Sequence, residues 1–420
     1  MNRFKQFFYL AVAVVAAVAV AGCSRPDSET PLKDMARNML RGSVKPKNVD
    51  TGLPVITITT EGRLPVTSKE DYLDAVITIT DPDTLNNYDG PVEIRGRGNT
   101  TWTHPKKPFR LKFKEKTRLF GLEEAKNWVL LANYQDPTLL MNTVAFELGL
   151  RFGVPFPHHY RHVEVILNGK YEGSYLFTEH NEVAGGRVEI NKKTGFFAEL
   201  DRYYDEEPKF LSSASKLPVM IKSPENMDDE GYELVTNAVN ELDEALFSPS
   251  FPDNGYRDLI DINDVVDFIM INEITRNVDL QMPGSIYMYR NSQENPAIAF
   301  GPLWDFDYGF GEAGTYFENS AGMFFDTEYR SGPGQKFFAR FFEDPVFREA
   351  YKTRWNEKYA EIAGMTAFML QMAALLEKSH ETNFKVWWWN REDYQKEMEK
   401  MTTWYTNRVE YLNQRINAEF

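Results

Sequence analysis

The stretch Val163-Glu-Val-Ile-Leu-Asn-Gly-Lys-Tyr-Glu-Gly-Ser-Tyr-Leu-Phe177 carries the clearest signal of secondary structure in the chain. Two runs rich in β-branched, aliphatic and aromatic residues flank Asn168 and Gly169. These two residue types readily adopt the positive φ angles that a type I′ turn requires. The stretch therefore predicts a tight β-hairpin with strands over Val163–Leu167 and Tyr171–Phe177.

Further strands are predicted on both sides of this hairpin. Each is marked by alternating apolar and polar residues, or by a short apolar run bounded by turn residues. They cover residues 55–60, 75–80, 92–95, 109–114, 127–132 and 196–200. Together with the hairpin they predict a β-rich part over about residues 51–200.

Helical spacing dominates the rest of the chain. Apolar residues recur every three or four positions in several segments. Helices are predicted over residues 138–152, 230–246, 262–275, 337–342, 345–376 and 391–416. The sequence thus predicts an α+β protein in which a helical bundle, within about residues 201–420, packs against the β-rich part.

The composition limits the classes of function. A formal net charge of −15 over 420 residues argues against nucleic acid as a partner, because nucleic-acid binders usually carry a basic face. Cys23 is the only cysteine, which excludes disulfides, zinc clusters of the cysteine type and thiol catalysis from the mature domain. The six histidines form no ligand pattern, which argues against a zinc hydrolase.

The N-terminus is predicted to be a targeting segment and is excluded from fold reasoning. The apolar run Phe7–Ala21 ends in Val20-Ala-Gly-Cys23, a pattern that resembles a bacterial lipobox. We expect residues 1–22 to be a lipoprotein signal peptide, Cys23 to be lipidated and residues 23–50 to be a tether. The alternative is an uncleaved membrane anchor with an incidental cysteine. Because no aspartate follows the cysteine, we expect a lipid-anchored, extracytoplasmic protein of the cell envelope, at the outer membrane.

Two acids stand close together in Gly301-Pro-Leu-Trp-Asp-Phe-Asp-Tyr-Gly-Phe-Gly311. A predicted strand over residues 297–303 leads into Asp305 and Asp307, and the following glycines allow backbone angles that other residues avoid. Such a strand end can present carboxylates to a metal or a phosphate. A purely structural turn is the alternative.

A basic stretch runs through Arg95-Gly-Arg-Gly-Asn-Thr-Thr-Trp102 and on to Lys106-Lys-Pro-Phe-Arg-Leu-Lys112. Glycines, hydroxyls and cations around a turn could hold phosphate oxygens through backbone N–H groups and charge. The spacing is not that of a P-loop, and a solvated basic hairpin is the alternative. Glu179 closes the strand of the central hairpin and could pair with one of these lysines, or be an ordinary surface acid.

In combination these groups match what phosphoryl transfer requires. Asp279, in a loop between a predicted helix and the strand that follows, would position or deprotonate an attacking hydroxyl; alone, it could as well cap the helix end. Asp305 and Asp307 would bind a divalent metal, since Mg²⁺ prefers a few carboxylates together with phosphate oxygens and water. Lys107 or Lys112 would offset the charge of the phosphates.

The sequence resembles the CotH kinase family of atypical protein kinases, named after a spore-coat protein. The similarity runs from about Pro54 to the C-terminus. Its pieces are Arg97–Trp102, Pro105–Lys112, Trp128–Asp136 with Met141-Asn142, Val165–Tyr175 with Glu179, Asn277–Asp279 and Pro302–Asp307. The resemblance implies a divergent protein-kinase-like fold over residues 51–420 that binds ATP and Mg²⁺ or Mn²⁺ and phosphorylates protein hydroxyls.

The resemblance also assigns roles to individual residues. Asp279 corresponds to the family's catalytic-site carboxylate, and Asp305, with Asp307 beside it, to the metal-binding acids. Ser285 stands where many family members carry an asparagine, and serine is a poorer metal ligand, which weakens the second metal position. The residues expected to contact the nucleotide are Arg97, Asn99, Lys107, Lys112 and Glu179.

The predicted function is therefore transfer of the ATP γ-phosphate to serine or threonine of an envelope or secreted protein. The main alternative is a non-catalytic surface protein with a binding, structural or adhesion role that uses the same fold. A metal-dependent enzyme acting on another phosphorylated small molecule is a third reading.

Overall fold

The computed structural model describes residues 45, 49–224, 227–311, 315–323, 326, 332–387 and 393–420. The predicted signal peptide, the lipidation residue Cys23 and most of the predicted tether lie outside the described residues. The α+β class, with a β-rich N-terminal part and a helical C-terminal region, is confirmed. The protein-kinase-like architecture stays a prediction.

Seven strands close into a barrel. They are β1 (Val55–Thr60), β2 (Leu73–Thr80), β3 (Tyr88–Gly96), β4 (Phe109–Thr117), β5 (Ala125–Leu131), β6 (Tyr160–Leu167) and β7 (Lys170–Glu179). Their order around the barrel is β1-β2-β3-β4-β5-β7-β6, and the closing pair, β1 with β6, is parallel. Alternate residues such as Ile56, Ile77 and Leu111 are fully buried and fill the interior.

The central hairpin forms as predicted. Asn168 and Gly169 both have positive φ angles, 53° and 78°. The Asn168 side chain also accepts a hydrogen bond from the backbone N–H of Thr60 at 3.0 Å. The turn therefore contributes to closing the barrel, because it fastens β6 and β7 to the end of β1.

A second, five-stranded sheet follows the barrel. Its strands are β8 (Phe196–Leu200), β9 (Lys209–Leu211), β10 (Pro218–Ser223), β11 (Ile286–Arg290) and β12 (Ile298–Phe300), in the antiparallel order β12-β11-β8-β10-β9. β9 and β10 are not among the predicted strands. β10 is buried on both faces, so it lacks the alternation on which such predictions depend. The sheet draws strands from both sides of residue 200.

Eight α-helices complete the described part of the chain. They are α1 (Thr100–Thr103), α2 (Met141–Phe152), α3 (Asp229–Phe247), α4 (Ile262–Ile274), α5 (Pro333–Phe341), α6 (Pro345–Ala363), α7 (Met365–Val386) and α8 (Tyr394–Glu419). The sequence predicts one helix over residues 345–376, whereas two helices meet at Gly364.

Length and composition alone would allow the helical stretch 345–386 to cross a membrane. Its two helices, however, contribute Tyr351, Trp355 and Met369 to the main apolar core.

An ion pair with both side chains fully buried joins Arg408 of α8 to Glu273 of α4. This pair fixes the end of α4 from which the chain continues toward Asp279.

Candidate functional site

A cleft of about 490 Å³ is lined by residues of the barrel strands β3 and β4 and by residues of β8, β10 and β11. Its volume falls within the range typical of small-molecule sites. Several predicted site residues line it together, although they are far apart in sequence: Arg97, Asn99, Asp279, Ser285, Asp305 and Asp307.

Asp279 is held at the end of α4 by its own motif. The Asn277 side chain accepts a hydrogen bond from the backbone N–H of Asp279 at 3.2 Å and donates to Asn272 at 3.1 Å. The Asp279 carboxylate, in turn, accepts a hydrogen bond of 2.5 Å from Arg202, which follows β8. The motif thus fixes the backbone, and Arg202 orients the side chain.

Burial raises the pKa of Asp279 to about 7. Arg202 opposes this rise, whereas the charges of Asp305 and Asp201 add to it. A carboxyl group with a pKa near neutrality can accept a proton and release it again, as a general base must. The environment of Asp279 therefore suits proton transfer better than that of an exposed aspartate.

Asp305 and Asp307 lie on a turn that α2 holds in place. Asp305 has a φ of 57°. The Asn142 side chain accepts from the backbone N–H of Phe306 at 2.9 Å and donates to Oδ1 of Asp307 at 2.8 Å. One amide of the first turn of α2 therefore sets both the backbone of the turn and the orientation of its second acid.

The surroundings of the two acids make their negative charges unfavourable. Burial raises the pKa of both, and the charge of Asp305 further raises the pKa of Asp307, to about 7. Arg97 acts in the opposite direction on both groups. Two neighbouring carboxylates whose pKa values are raised in this way are suited to bind a divalent cation, because the cation would stabilise both negative charges at once.

The metal would not find a complete protein cage. Within the described residues, no group of three or more histidine, aspartate and glutamate side chains is arranged to hold a metal ion. A metal at Asp305 and Asp307 would therefore need further oxygens from phosphate and water, which is the usual situation for Mg²⁺ in nucleotide sites. The donor set fits a metal that arrives with a nucleotide.

The barrel supplies positive charge to the same cleft. Arg95 and Arg110 are direct partners in the β3–β4 register and line the cleft together with Arg97. Burial and the charges of these arginines hold the pKa of His180, another lining residue, well below its ordinary value. Glu70 lies 4.0 Å from Arg95, and the charge of Glu182 acts on Arg110. Three arginines close together at one wall of the cleft nevertheless suit a polyanionic ligand.

The family model described as CotH kinase protein matches residues 94–412. The chain belongs to the CotH kinase family. The match begins in β3 and ends in α8, so that it includes the acids and the arginines described above. Comparison with curated proteins returned no match.

In this member of the CotH kinase family, Ser285 contacts the acids Asp201 and Asp305. Its backbone N–H donates to Asp201 at 2.9 Å, and its side chain forms a hydrogen bond with Asp305 that lowers the pKa of that acid. Ser285 thus takes part in the acidic cluster as a hydrogen-bonding partner of Asp305.

Three predicted nucleotide contacts are not among the residues that line the cleft. Lys107 donates to the backbone oxygen of Trp102 at 2.5 Å and lies over the ring of the same residue. Lys112 forms an ion pair with Glu93, its direct partner on β3, at 3.2 Å. Both side chains are occupied by neighbours that strand pairing and a local turn provide.

Glu179 is the third. It is buried and accepts hydrogen bonds from the backbone N–H and the ring of His159, at 2.7 and 2.9 Å. It lines a separate cavity of about 220 Å³ with His158 and Arg187. The predicted pairing of Glu179 with a lysine is therefore wrong, because histidines and an arginine surround the carboxylate instead.

Three lining arginines are not among the individually predicted nucleotide contacts. Arg95 and Arg110 lie in the basic stretch that the sequence predicts as a phosphate-binding candidate, and pairing of the two predicted strands places them side by side. Arg202 carries no such signal, because its partner Asp279 is far away in sequence and the contact depends on the tertiary fold.

Proposed function

We propose that this chain is an atypical protein kinase that transfers the γ-phosphate of ATP to a serine or threonine hydroxyl of an envelope or secreted protein. Membership of the CotH kinase family supports kinase-like chemistry. The observation that carries the proposal is the meeting, in one cleft, of the acids Asp279, Asp305 and Asp307 with an arginine cluster from the barrel. Phosphoryl transfer requires both kinds of charge.

The acids on the turn after β12 would hold the metal. Asp305 and Asp307 would bind Mg²⁺ or Mn²⁺ together with phosphate oxygens, and the bound cation would offset the charge that develops during transfer. Asn142 keeps Asp307 oriented through its hydrogen bond of 2.8 Å. The backbone contact between Phe306 and Asn142 limits the freedom of the whole turn.

The arginines and the turn after β3 would hold the phosphates. Arg97, with Arg95 and Arg110, provides planar cationic groups that suit phosphate oxygens. Gly98 has a φ of 83°, and an added Cβ would lie 2.1 Å from the hydroxyl oxygen of Thr101. A glycine is therefore required there for the turn to bring Asn99 to the cleft.

Asp279 would act on the acceptor. The oxygen of the acceptor hydroxyl forms a bond to the γ-phosphorus, and the bond between that phosphorus and the bridging oxygen of the leaving ADP breaks. The hydroxyl proton passes to the carboxylate of Asp279, whose raised pKa suits it to accept that proton. The product is a phosphorylated side chain and ADP.

The test is a direct measurement on the purified protein. We would measure ATP binding and γ-phosphate transfer with Mg²⁺ and with Mn²⁺, for wild type, Asp279→Asn and Asp305→Asn. Either substitution should lower the transfer rate roughly a hundredfold or more. The exposed Asp253→Asn, outside the cleft, is the matched control and should leave the rate unchanged.

Absence of nucleotide binding with either metal would end the kinase proposal in favour of a non-catalytic surface protein with a binding or structural role. Transfer that survives both substitutions would leave a kinase whose site lies elsewhere.

We also propose where the protein acts. The N-terminal pattern supports lipidation at Cys23 and anchoring in the cell envelope, at the outer membrane, with residues 23–50 as a tether. The lipid would link the protein to the membrane, and the substrate would be a neighbouring envelope or secreted protein. Cys23→Ser should move the protein from the membrane fraction to the soluble fraction, whereas Ser24→Ala should not.

A further inference from the structure

Arg202 lies beside Asp279, at a corner of the cleft. Its Nη1 donates to Oδ1 of Asp279 at 2.5 Å and to the backbone oxygen of Met282 at 3.0 Å. Its own backbone N–H donates to the backbone oxygen of Pro283 at 2.7 Å. The guanidinium is therefore anchored to the loop that follows Asp279 as well as to the acid.

Gly284 of this loop leaves room for the guanidinium. A Cβ added there would lie 2.7 Å from Nη1 of Arg202 and 3.1 Å from Oδ1 of Asp279. Any other residue would push the two charged groups apart. Asp201, which directly precedes Arg202, accepts a hydrogen bond of 2.9 Å from the backbone N–H of Ser285. Consecutive residues after β8 thus hold both ends of this loop.

The charge of Arg202 acts on more than its direct partner. The guanidinium contacts Asp279 directly and lines the same cleft as Asp305, so its positive charge offsets the negative charge of both acids. This is what a second divalent cation would do if it bound between the acids. Protein kinases use two Mg²⁺ ions, whereas P-loop enzymes use one. A divalent ion at Asp279 would have to share a carboxylate with a guanidinium 2.5 Å away, and the two cations would repel each other.

We propose that Arg202 takes the place of a second divalent cation beside Asp279, so that the cleft holds one divalent ion per bound nucleotide, at Asp305 and Asp307. This inference rests on the proposed kinase function. Arg202 is a positioning residue, because it acts through the carboxylates.

The test counts metal ions rather than activity. Mn²⁺ bound per chain would be measured by electron paramagnetic resonance with a saturating non-hydrolysable ATP analogue. Wild type and Arg202→Lys, which keeps the charge, should each bind about one ion. Arg202→Gln should bind about two, because the guanidinium no longer competes. The exposed Arg118→Gln is the matched control and should behave as wild type.

A second variant guards against misfolding of the first. Gly284→Ala displaces the guanidinium from Asp279 without removing it and should also raise the count toward two ions. Two ions on wild type would overturn the inference, and so would one ion on both variants while they still bind the nucleotide analogue. If wild type binds no nucleotide, the proposed function fails first, and this inference falls with it.

Discussion

Two groups of acids in this protein, one around Glu179 and one in the cleft, have opposite electrostatic environments. Glu179 lies among His158, His159 and Arg187, and although burial opposes the shift, their hydrogen bonds and charge hold its pKa at about 2. Asp307, in the cleft, is only partly buried, but its strongest charged neighbour is another acid, and desolvation together with that charge raises its pKa to about 7. Neighbouring groups stabilise the negative charge of Glu179, whereas the surroundings of Asp307 make its negative charge unfavourable.

This difference separates a structural acid from a functional one. A carboxylate surrounded by cations contributes to folding and has little capacity left for a ligand. An acid whose pKa is raised by desolvation and by a neighbouring acid costs folding energy, and such costs are typically found at sites that bind a ligand. Residue type and burial would have grouped Glu179 with the cleft acids, whereas the charge of their neighbours divides them.

The largest effect is expected for Asp307→Asn. The amide keeps an acceptor for Asn142 but removes one of the two repelling charges. Binding of an ATP analogue in the presence of Mg²⁺ should weaken roughly a hundredfold, because a metal ligand is lost. The free energy of unfolding should rise by about 1 kcal/mol, because an unfavourable buried charge is gone. Calorimetric titration and urea unfolding measure the two quantities.

The exposed Asp258→Asn is the control and should change neither quantity. A less stable Asp307→Asn protein with unchanged nucleotide binding would place Asp307 with Glu179, as a structural acid, and would remove the contrast.

The sequence was most informative where a local signal sufficed. Asn168 and Gly169 specify their turn through their own backbone preferences. The motif around Asp279 and the acids after β12 were recognised because their residues are close in sequence, and the fold then brings them to one cleft. The β-rich and helical parts followed from the periodicity of apolar residues.

What the sequence did not indicate depends on pairing between distant segments. Arg202 reaches Asp279 only because β8 and β11 are neighbours in the second sheet. Lys112 was a reasonable phosphate ligand by charge, but the β3–β4 register gives it Glu93 as a direct partner. In both cases, tertiary or cross-strand contacts decide which cation remains for a ligand, and composition does not contain this information.

A smaller effect, on stability alone, is expected for Glu179→Gln. The change leaves the buried Arg187 and the half-exposed His159 without their charged partner. Removing one member of a buried ion pair typically costs about 3 kcal/mol. Nucleotide binding should be unchanged. Since the folded-state pKa, about 2, lies below the ordinary value of 4.5, this stabilisation is present above pH 4.5 and is lost as the pH falls toward 2.

Urea unfolding of wild type and Glu179→Gln at several pH values measures this difference. It should be largest at neutral pH and shrink below pH 4.5. The exposed Glu123→Gln, which lines the same cavity, is the control. Loss of nucleotide binding in folded Glu179→Gln would instead restore Glu179 to the nucleotide site.

The smallest effect is expected for His159→Gln. The His159 ring hydrogen-bonds to Glu179 at 2.9 Å, and this bond raises the pKa of the imidazole. Because about half of the His159 side chain (49%) is exposed, solvent screening limits the loss of stability to less than about 1 kcal/mol.

A raised folded-state pKa of His159 means that the stabilisation is complete below the ordinary pKa of 6.5 and disappears as the pH rises through the folded value. The loss on substitution should therefore be measurable by urea unfolding at pH 5.5 and fade at pH 9. The pH trend is thus opposite to that of Glu179→Gln, in which the effect fades toward acid. A loss that grows toward alkaline pH would show that His159 does not supply positive charge to Glu179, and would leave Arg187 and His158 to account for the low pKa of that carboxylate.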